Sequence, residues 1–375
     1  MNNSGETETF KFSGYTSPII PANGSNSVRS IYFSSSNNSS PYGVLIGGAN
    51  TNTIPSTGNY NAIIGGEGST ITSGEDNGIF AAKNSTTDAS SNYSVIIGGR
   101  THTVNNQFGA ILGGAQNTAG YLSATIAGFN ITATNQSTAI NGENNTTSAV
   151  YGGIYGGTGN NATGNYSAIY NSQTSSLNAL QSAIIGGGSN QITGGGYREI
   201  ILGGAGNTIS NDNDNQILGG GTNSINGGYF STIINGSSNA MTGNYSRYST
   251  IIVGLNNTMT ATDRSGIYNC YNCNITNAGY YTTIIGSDTS TISSSAVRNS
   301  IISSVNSTIT GTTSGVVMLG TSGRTATQNY ATHVENLVVF NYSNLNYADD
   351  TAAAAGGVVL GQVYHNAGAL RIRIV

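Results

Sequence analysis

The side chains of this chain that could do chemistry are few and scattered. Its carboxylates fall mostly in Gly- and Asn-rich stretches: Glu67, Glu75, Asp76, Glu143, Asp212, Asp214 and Asp288. Cleaving a glycosidic bond needs two carboxylates held on either side of it, and no pair here recurs at a spacing that fixes both on one face. Glu75–Asp76 and Asp349–Asp350 are adjacent, so within a strand they diverge. His102, His333 and His365 lie far apart. They could ring a metal only if several copies of the chain met about an axis, and hydrogen-bonded or solvent-facing imidazoles are the expectation. Cys270 and Cys273 have C-x-x-C spacing with no second pair, which reads as two ordinary small residues before a zinc or redox site. No catalytic residue, metal site or cofactor is assigned, and the protein is not expected to be an enzyme.

Tyrosine is the other conspicuous side chain, with 22 copies against no tryptophan. Tyr60, Tyr93, Tyr166, Tyr229, Tyr245 and Tyr281 each stand just before an apolar run, so a repeating fold would stack them. A tyrosine offers a flat apolar face and a hydroxyl, which suits sugar docking. These six are therefore candidate surface-binding residues, although packing between turns or subunits is the simpler role. Sequons occur at Asn84, Asn130, Asn161, Asn235, Asn274 and Asn306, at the density chance supplies in so Asn- and Ser/Thr-rich a chain.

The elements that must position these groups are short and periodic. An apolar pair followed by small residues recurs as Leu45-Ile46-Gly47-Gly48, Ile63-Ile64-Gly65-Gly66, Ile96-Ile97-Gly98-Gly99, Ile111-Leu112-Gly113-Gly114, Ile184-Ile185-Gly186-Gly187, Ile201-Leu202-Gly203-Gly204 and Ile217-Leu218-Gly219-Gly220. With degenerate copies such as Ile154-Tyr155-Gly156-Gly157, Ile233-Ile234, Ile251-Ile252, Ile284-Ile285 and Ile301-Ile302, there are 18 copies, spaced 14 to 18 residues apart. A weaker element follows each, as in Asn190-Gln191-Ile192-Thr193-Gly194. A period near sixteen is too short for a helical hairpin and fits one coil of a β-solenoid with two short strands and two tight turns. At ~4.8 Å per coil the rod would be roughly 85 Å long. Variation in period is expected in outward turns, such as 211–215 and 243–249. The turn positions are Gly48, Gly66, Gly99, Gly114, Gly157, Gly187, Gly204 and Gly220, where positive φ favours glycine.

Successive strand residues point to opposite faces, so one aliphatic of each pair enters the coil and the other leaves it. The second of each pair is assigned to the core repeat: Ile64, Ile97, Leu112, Ile185, Leu202, Leu218, Ile234, Ile252, Ile285 and Ile302. The remaining aliphatic column would line the outside, and a stripe that long calls for sister chains, with three-fold association suiting a rod.

Composition agrees. The chain has 375 residues with 54 Gly, only 4 Pro, and 26 charged residues (11 Lys+Arg plus 15 Asp+Glu) for a net charge of -4. That balance does not suit a nucleic-acid partner. No run of 18 apolar residues spans a membrane, and Met1–Thr7 has neither the basic cluster nor the apolar core of a Sec signal peptide. Thr-x-Thr pairs at Thr51/Thr53, Thr101/Thr103 and Thr308/Thr310 are not expected to join into the continuous ladder that an ice-binding solenoid needs.

The phrases Asn161-Ala162-Thr163-Gly164-Asn165-Tyr166-Ser167-Ala168-Ile169 and Ser182-Ala183-Ile184-Ile185-Gly186-Gly187-Gly188-Ser189-Asn190 resemble the head repeat of trimeric autotransporter adhesins over roughly residues 41–323. The resemblance implies a parallel left-handed β-roll and a homotrimer. The C-terminus, Tyr347–Gly357 leading into Val358–Tyr364 and Ala369-Leu370-Arg371-Ile372-Arg373-Ile374-Val375, resembles the terminal module of phage and large-virus fibre proteins. In that module Asp349, Asp350, Gly356, Gly357, Leu370, Ile372 and Ile374 are the expected key residues, the last three alternating as one buried strand face. The organisation expected is thus an attachment or capping segment at 1–40, the solenoid at 41–323, a linker with one strand (335–340) at 324–346, and a trimerisation or tip module at 347–375. The function this implies is an exterior fibre of a virion. Its partners would be copies of itself, capsid or tail proteins through the N-terminal segment, and a host surface glycan or protein. A bacterial surface adhesin or filament subunit and an ice-binding solenoid are the alternatives.

Overall fold

A computed structural model describes residues 37–39, 42–46, 51–210, 213–276, 280–295, 297–335 and 345–374. The N-terminal segment, Gly48 and the strand expected at 335–340 lie essentially outside these residues. The chain folds as an all-β parallel solenoid. Among the described residues, two stacks of nineteen short parallel strands build the solenoid, one from each half of every rung.

The rung that begins at Ala183 shows how sequence becomes structure. Strand Ala183–Ile185 is followed by Gly186 and Gly187 at φ 71° and 79°, which turn the chain through a corner. A Cβ at Gly187 would strike the Gly204 carbonyl of the next rung, so glycine is needed there for space as well as for φ. Gly66, Gly99, Gly114, Gly157, Gly204 and Gly220 share the positive φ. After Ser189 at φ 54° and the buried Asn190 comes strand Gln191–Thr193, and the chain returns through Arg198, at φ 56°, to Ile200 of the next rung. Ile184 then pairs with Ile201 and Ile192 with Ile209, each in parallel register.

The interior is built of columns. Ile63, Ile79, Ile96 and Ile111 in the first sheet, with Ile169 through Ile301 further along, are fully buried. Facing them are Ile54, Ile71, Leu177, Ile192, Ile209, Ile225, Met241, Met259, Ile275, Ile292 and Ile309. The assignment of the second aliphatic to the core is therefore inverted: Ile64 is 37% exposed, Ile97 47%, Leu112 41%, Ile185 41%, Leu202 44% and Ile285 40%. Leu218, Ile234, Ile252 and Ile302 are half-buried on the same outer face. The reason is the corner. Its two positive-φ residues follow the third strand residue directly, and a three-residue strand with that corner can turn inward only its middle side chain.

A column of side-chain amides fills one inner corner. Asn223 Oδ1 accepts the Asn239 N–H at 3.1 Å, and its Nδ2 donates to the Gly236 carbonyl at 3.2 Å. Asn207 and Asn239 repeat the pattern one rung either side. Buried backbone groups at a turn need such partners.

Two further expectations shift. Residues 243–249 are not an outward turn; they fall largely within an eight-residue strand, Ala240–Arg247, which pairs with Ser224–Tyr229 across a register shift. The extra residues are absorbed as a bulge, which keeps the ladder intact. The rungs also continue past 323, since Thr332–Val334 pairs with Val317–Leu319.

After the solenoid, Asp350–Ala355 forms a short helix and Val363–Asn366 pairs antiparallel with Ala369–Ile372. Asp349 caps the helix by accepting the Ala352 N–H at 2.8 Å. Asp350 accepts the Tyr364 hydroxyl and the Ile374 N–H, and this carboxylate pushes the Tyr364 phenol pKa up. Gly356 ends the helix against the Tyr347 ring, and Gly357 follows at φ 87°.

Candidate functional site

The described surface carries three columns that run with the rod. The first is apolar. The third residue of each first-sheet strand joins its neighbours in register: Ile46, Ile64, Phe80, Ile97, Leu112, Ile126 and Ile140, then Tyr155, Tyr170, Ile185, Leu202, Leu218, Ile234, Ile252, Tyr268, Ile285, Ile302, Leu319 and Val334. Beside it, the first strand residue is small over most of the N-terminal half, as in Ala62, Gly78, Ala110, Ala124, Gly153, Ala168 and Ala183. Eighteen steps of ~4.8 Å give the apolar column a length of about 86 Å. With a breadth of ~10 Å, it covers on the order of 900 Å².

The second column lies on the other sheet and overturns an expectation. Thr53, Thr70, Thr86, Thr103, Thr118, Thr132 and Thr146 stand in unbroken register over seven rungs. Further on the column passes through Asn161, Ser176 and Gln191 before Thr208. The threonines form a ladder because every rung offers one outward slot before the buried residue. The pairs quoted from the sequence place only one member each in that slot: Thr53, Thr103 and Thr308 stand in it, whereas Thr51 and Thr101 are corner residues with positive φ.

The third column is a corner. Tyr60, Tyr93, Tyr166 and Tyr281 occupy it, each more than half exposed and each with φ between 55° and 62°. Left-handed backbone is unusual for tyrosine. Here it is fixed by one bond per rung, as where the Tyr166 N–H donates to the Val150 carbonyl at 2.8 Å. Tyr229 is displaced, because its neighbour Phe230 takes the slot, and Tyr248 takes it in the next rung. The Tyr245 side chain lies outside the described residues. Sequence reading missed Phe108, Tyr151, Arg198, Asp214, Phe230, Tyr248, Arg264 and Arg298, all at the same left-handed corner. The signal was present: each stands two residues before the first residue of its strand.

Within this column side chains stack on each other. Tyr93 lies on Phe108 at 5.3 Å, Phe230 on Tyr248 at 5.0 Å and Tyr42 on Tyr60 at 5.0 Å. The Arg264 guanidinium sits between Tyr248 and Tyr281, 5.6 and 5.7 Å from their ring centres. Arg198 binds Asp214 through Nε at 2.6 Å and Nη2 at 2.7 Å; this pairing holds the Asp214 carboxyl below its usual pKa. Many of the ring faces that would dock a sugar are thus covered, while ring edges and hydroxyls stay in solvent.

Of the groups with chemical potential, His102 is buried in the amide column and accepts the Asn117 N–H on Nδ1 at 3.3 Å. His365 is buried in the C-terminal hairpin. Glu67 pairs with Lys83 at 2.9 Å on the surface. Among the described residues no three His, Cys, Asp or Glu side chains gather as a metal site, and no helix is long and apolar enough to cross a membrane. Leu370, Ile372 and Ile374 do not form a buried strand face in the single chain; they are 56%, 57% and 76% exposed. The module's own core, Ala353, Val358 and Tyr364, is too small to cover them. No protein-family model and no curated protein matches this chain.

Proposed function

We propose that the protein is a structural fibre, in which three parallel copies associate along the apolar column and form an exterior fibre of a virion. The observation that carries this reading is the unbroken run of large apolar side chains from Ile46 to Val334. A patch of that size is comparable with the ~800 Å² that each partner contributes to a stable interface. In a closed ring, the large column of one copy can lie against the small column of the next, a heterologous contact that three copies complete. The exposed Leu370, Ile372 and Ile374 continue the same need for sister chains into the C-terminal module.

The working principle is mechanical. A stiff rod holds its terminal module away from its mount, and three copies make each weak contact multivalent. The N-terminal segment is the mount on capsid or tail, and exposed tyrosine hydroxyls along the corner column are the contact points for a host glycan or protein. Sedimentation of the purified chain together with averaged micrographs tests the association. Trimeric rods near 86 Å are expected, and a monodisperse monomer rules it out.

The seven-rung threonine ladder favours a second reading, an ice-binding solenoid. It presents methyl and hydroxyl groups at the regular ~4.8 Å step of the sheet. Thermal hysteresis decides it: a freezing-point gap that Thr103→Tyr and Thr118→Tyr abolish supports ice binding, and its absence in the wild-type protein removes it.

A further inference from the structure

We propose that Cys270 and Cys273 are a redox-modification site, which closes into a disulfide across one corner of the solenoid when the protein meets an oxidising thiol–disulfide environment. Both are free thiols, at 4% and 0% exposure. The repeat itself shows that their two slots touch. Ser172 and Ser175 occupy the same slots earlier in the rod, with hydroxyl oxygens 2.5 Å apart. Cys270 and Cys273 stand in those same two slots of a later rung, and each thiol donates to a carbonyl of the next rung, Cys270 to Ile284 at 3.6 Å and Cys273 to Ser287 at 3.4 Å.

The intervening turn is pinned. The Tyr271 N–H donates to the Ser287 carbonyl at 3.1 Å, and the Asn272 N–H, at a residue with φ 52°, donates to the Leu255 carbonyl at 2.9 Å. The thiols therefore approach each other in a fixed geometry. They are also unequal. Its neighbour Cys273 holds the Cys270 thiol below its usual pKa, whereas Cys273, which is fully buried, is pushed up by Cys270 and by burial. Cys270, with Gly254, Leu255, Gly286 and Asp288, lines a shallow surface depression, and local opening of that corner brings its buried sulfur to a small disulfide.

The chemistry follows from that asymmetry. The Cys270 thiolate attacks one sulfur of a small-molecule disulfide such as oxidised glutathione, whose other half leaves as a thiolate and takes up a proton. Cys273 then gives its proton to solvent and attacks the Cys270 sulfur, which breaks the mixed disulfide and releases the second small thiol. Two protein thiols are oxidised to one disulfide, and one small disulfide is reduced to two thiols. In a reducing cytosol the pair stays open, and outside a cell it closes.

Serine fills both slots in the following rungs, as Ser287 with Ser290 and Ser304 with Ser307, so C270S and C273S are compatible with the fold. The full-length protein is exposed to oxidised glutathione and followed by intact mass, thiol count and melting temperature. Wild type is expected to lose both thiols and two hydrogens of mass without an adduct. C273S is expected to trap glutathione on Cys270, and C270S to react on the order of tenfold more slowly. The melting temperature should rise on oxidation of wild type and not of C270S/C273S. A stable adduct on wild type, disulfide-linked chains, or two thiols surviving in folded wild type each overturn the proposal.

Discussion

Asn223 shows how much one buried amide does in this fold. It accepts from the next rung and donates to a corner carbonyl, so its loss leaves the buried Asn239 N–H without a partner and takes one of two bonds from the Gly236 carbonyl. Asn223→Leu should therefore destabilise the protein by about 1–3 kcal/mol in denaturant unfolding, and Asn223→Ser by less, since serine fills this slot at Ser290 and Ser307. His102 occupies the same column with a different consequence. Its Nδ1 accepts a hydrogen bond, so the neutral ring is the one that fits, and burial lowers its pKa from 6.5. The unfolded chain then binds the proton more readily than the folded one. The His102 contribution is complete above pH 6.5 and is lost as pH falls through the folded-state pKa. Melting curves across that range should show this slope in wild type and its loss in His102→Asn.

The rungs are not equally robust. At the 14-residue spacing between Ala110, Ala124 and Thr138, the interior narrows to Ala119, Ala133 and Ala139 with Thr125 and Thr147. Ile131 enters the amide column there and contacts Ala133 and Ala139 in a small cluster separate from the cores on either side. Less apolar area is buried per rung, so local opening should cost less. Hydrogen exchange is expected to be faster over residues 119–149 than over 184–275, and equal protection in both would contradict this account. The corners set the other limit. Gly204 has φ 77°, and a Cβ there would meet the Gly220 carbonyl of the next rung. Gly204→Ala combines backbone strain with overpacking and should cost about 1–3 kcal/mol, read from the unfolding midpoint.

At the scale of the whole rod, the two sheets face different worlds: one shows large aliphatic side chains, the other threonine, serine and asparagine. Ile185 and Leu202 stand near the centre of the apolar column and are over 40% exposed in the single chain. For the proposed trimer, Ile185→Glu with Leu202→Glu should leave the far-ultraviolet dichroism of the rungs unchanged and yield monomers in sedimentation where the wild type sediments as a trimer. Unchanged trimers would show that the column is not the contact.

The repeat, its 14-to-18-residue period, the strand pairs and the corner glycines were legible in the sequence, because a short solenoid coil can bury its apolar residues only at fixed phase. Ile184-Ile185-Gly186-Gly187 also implied one aliphatic inside and one outside. It did not say which, since alternation alone is symmetric between the two faces. The corner after Ile185 decides it, by turning Ile184 inward. The threonine ladder and the mixed corner of Tyr, Phe, Arg and Asp were likewise hidden, because a variable period scrambles linear spacing while the stacked strands restore one register. What local pattern determined was the rung; which residues share a surface was decided only by stacking the rungs.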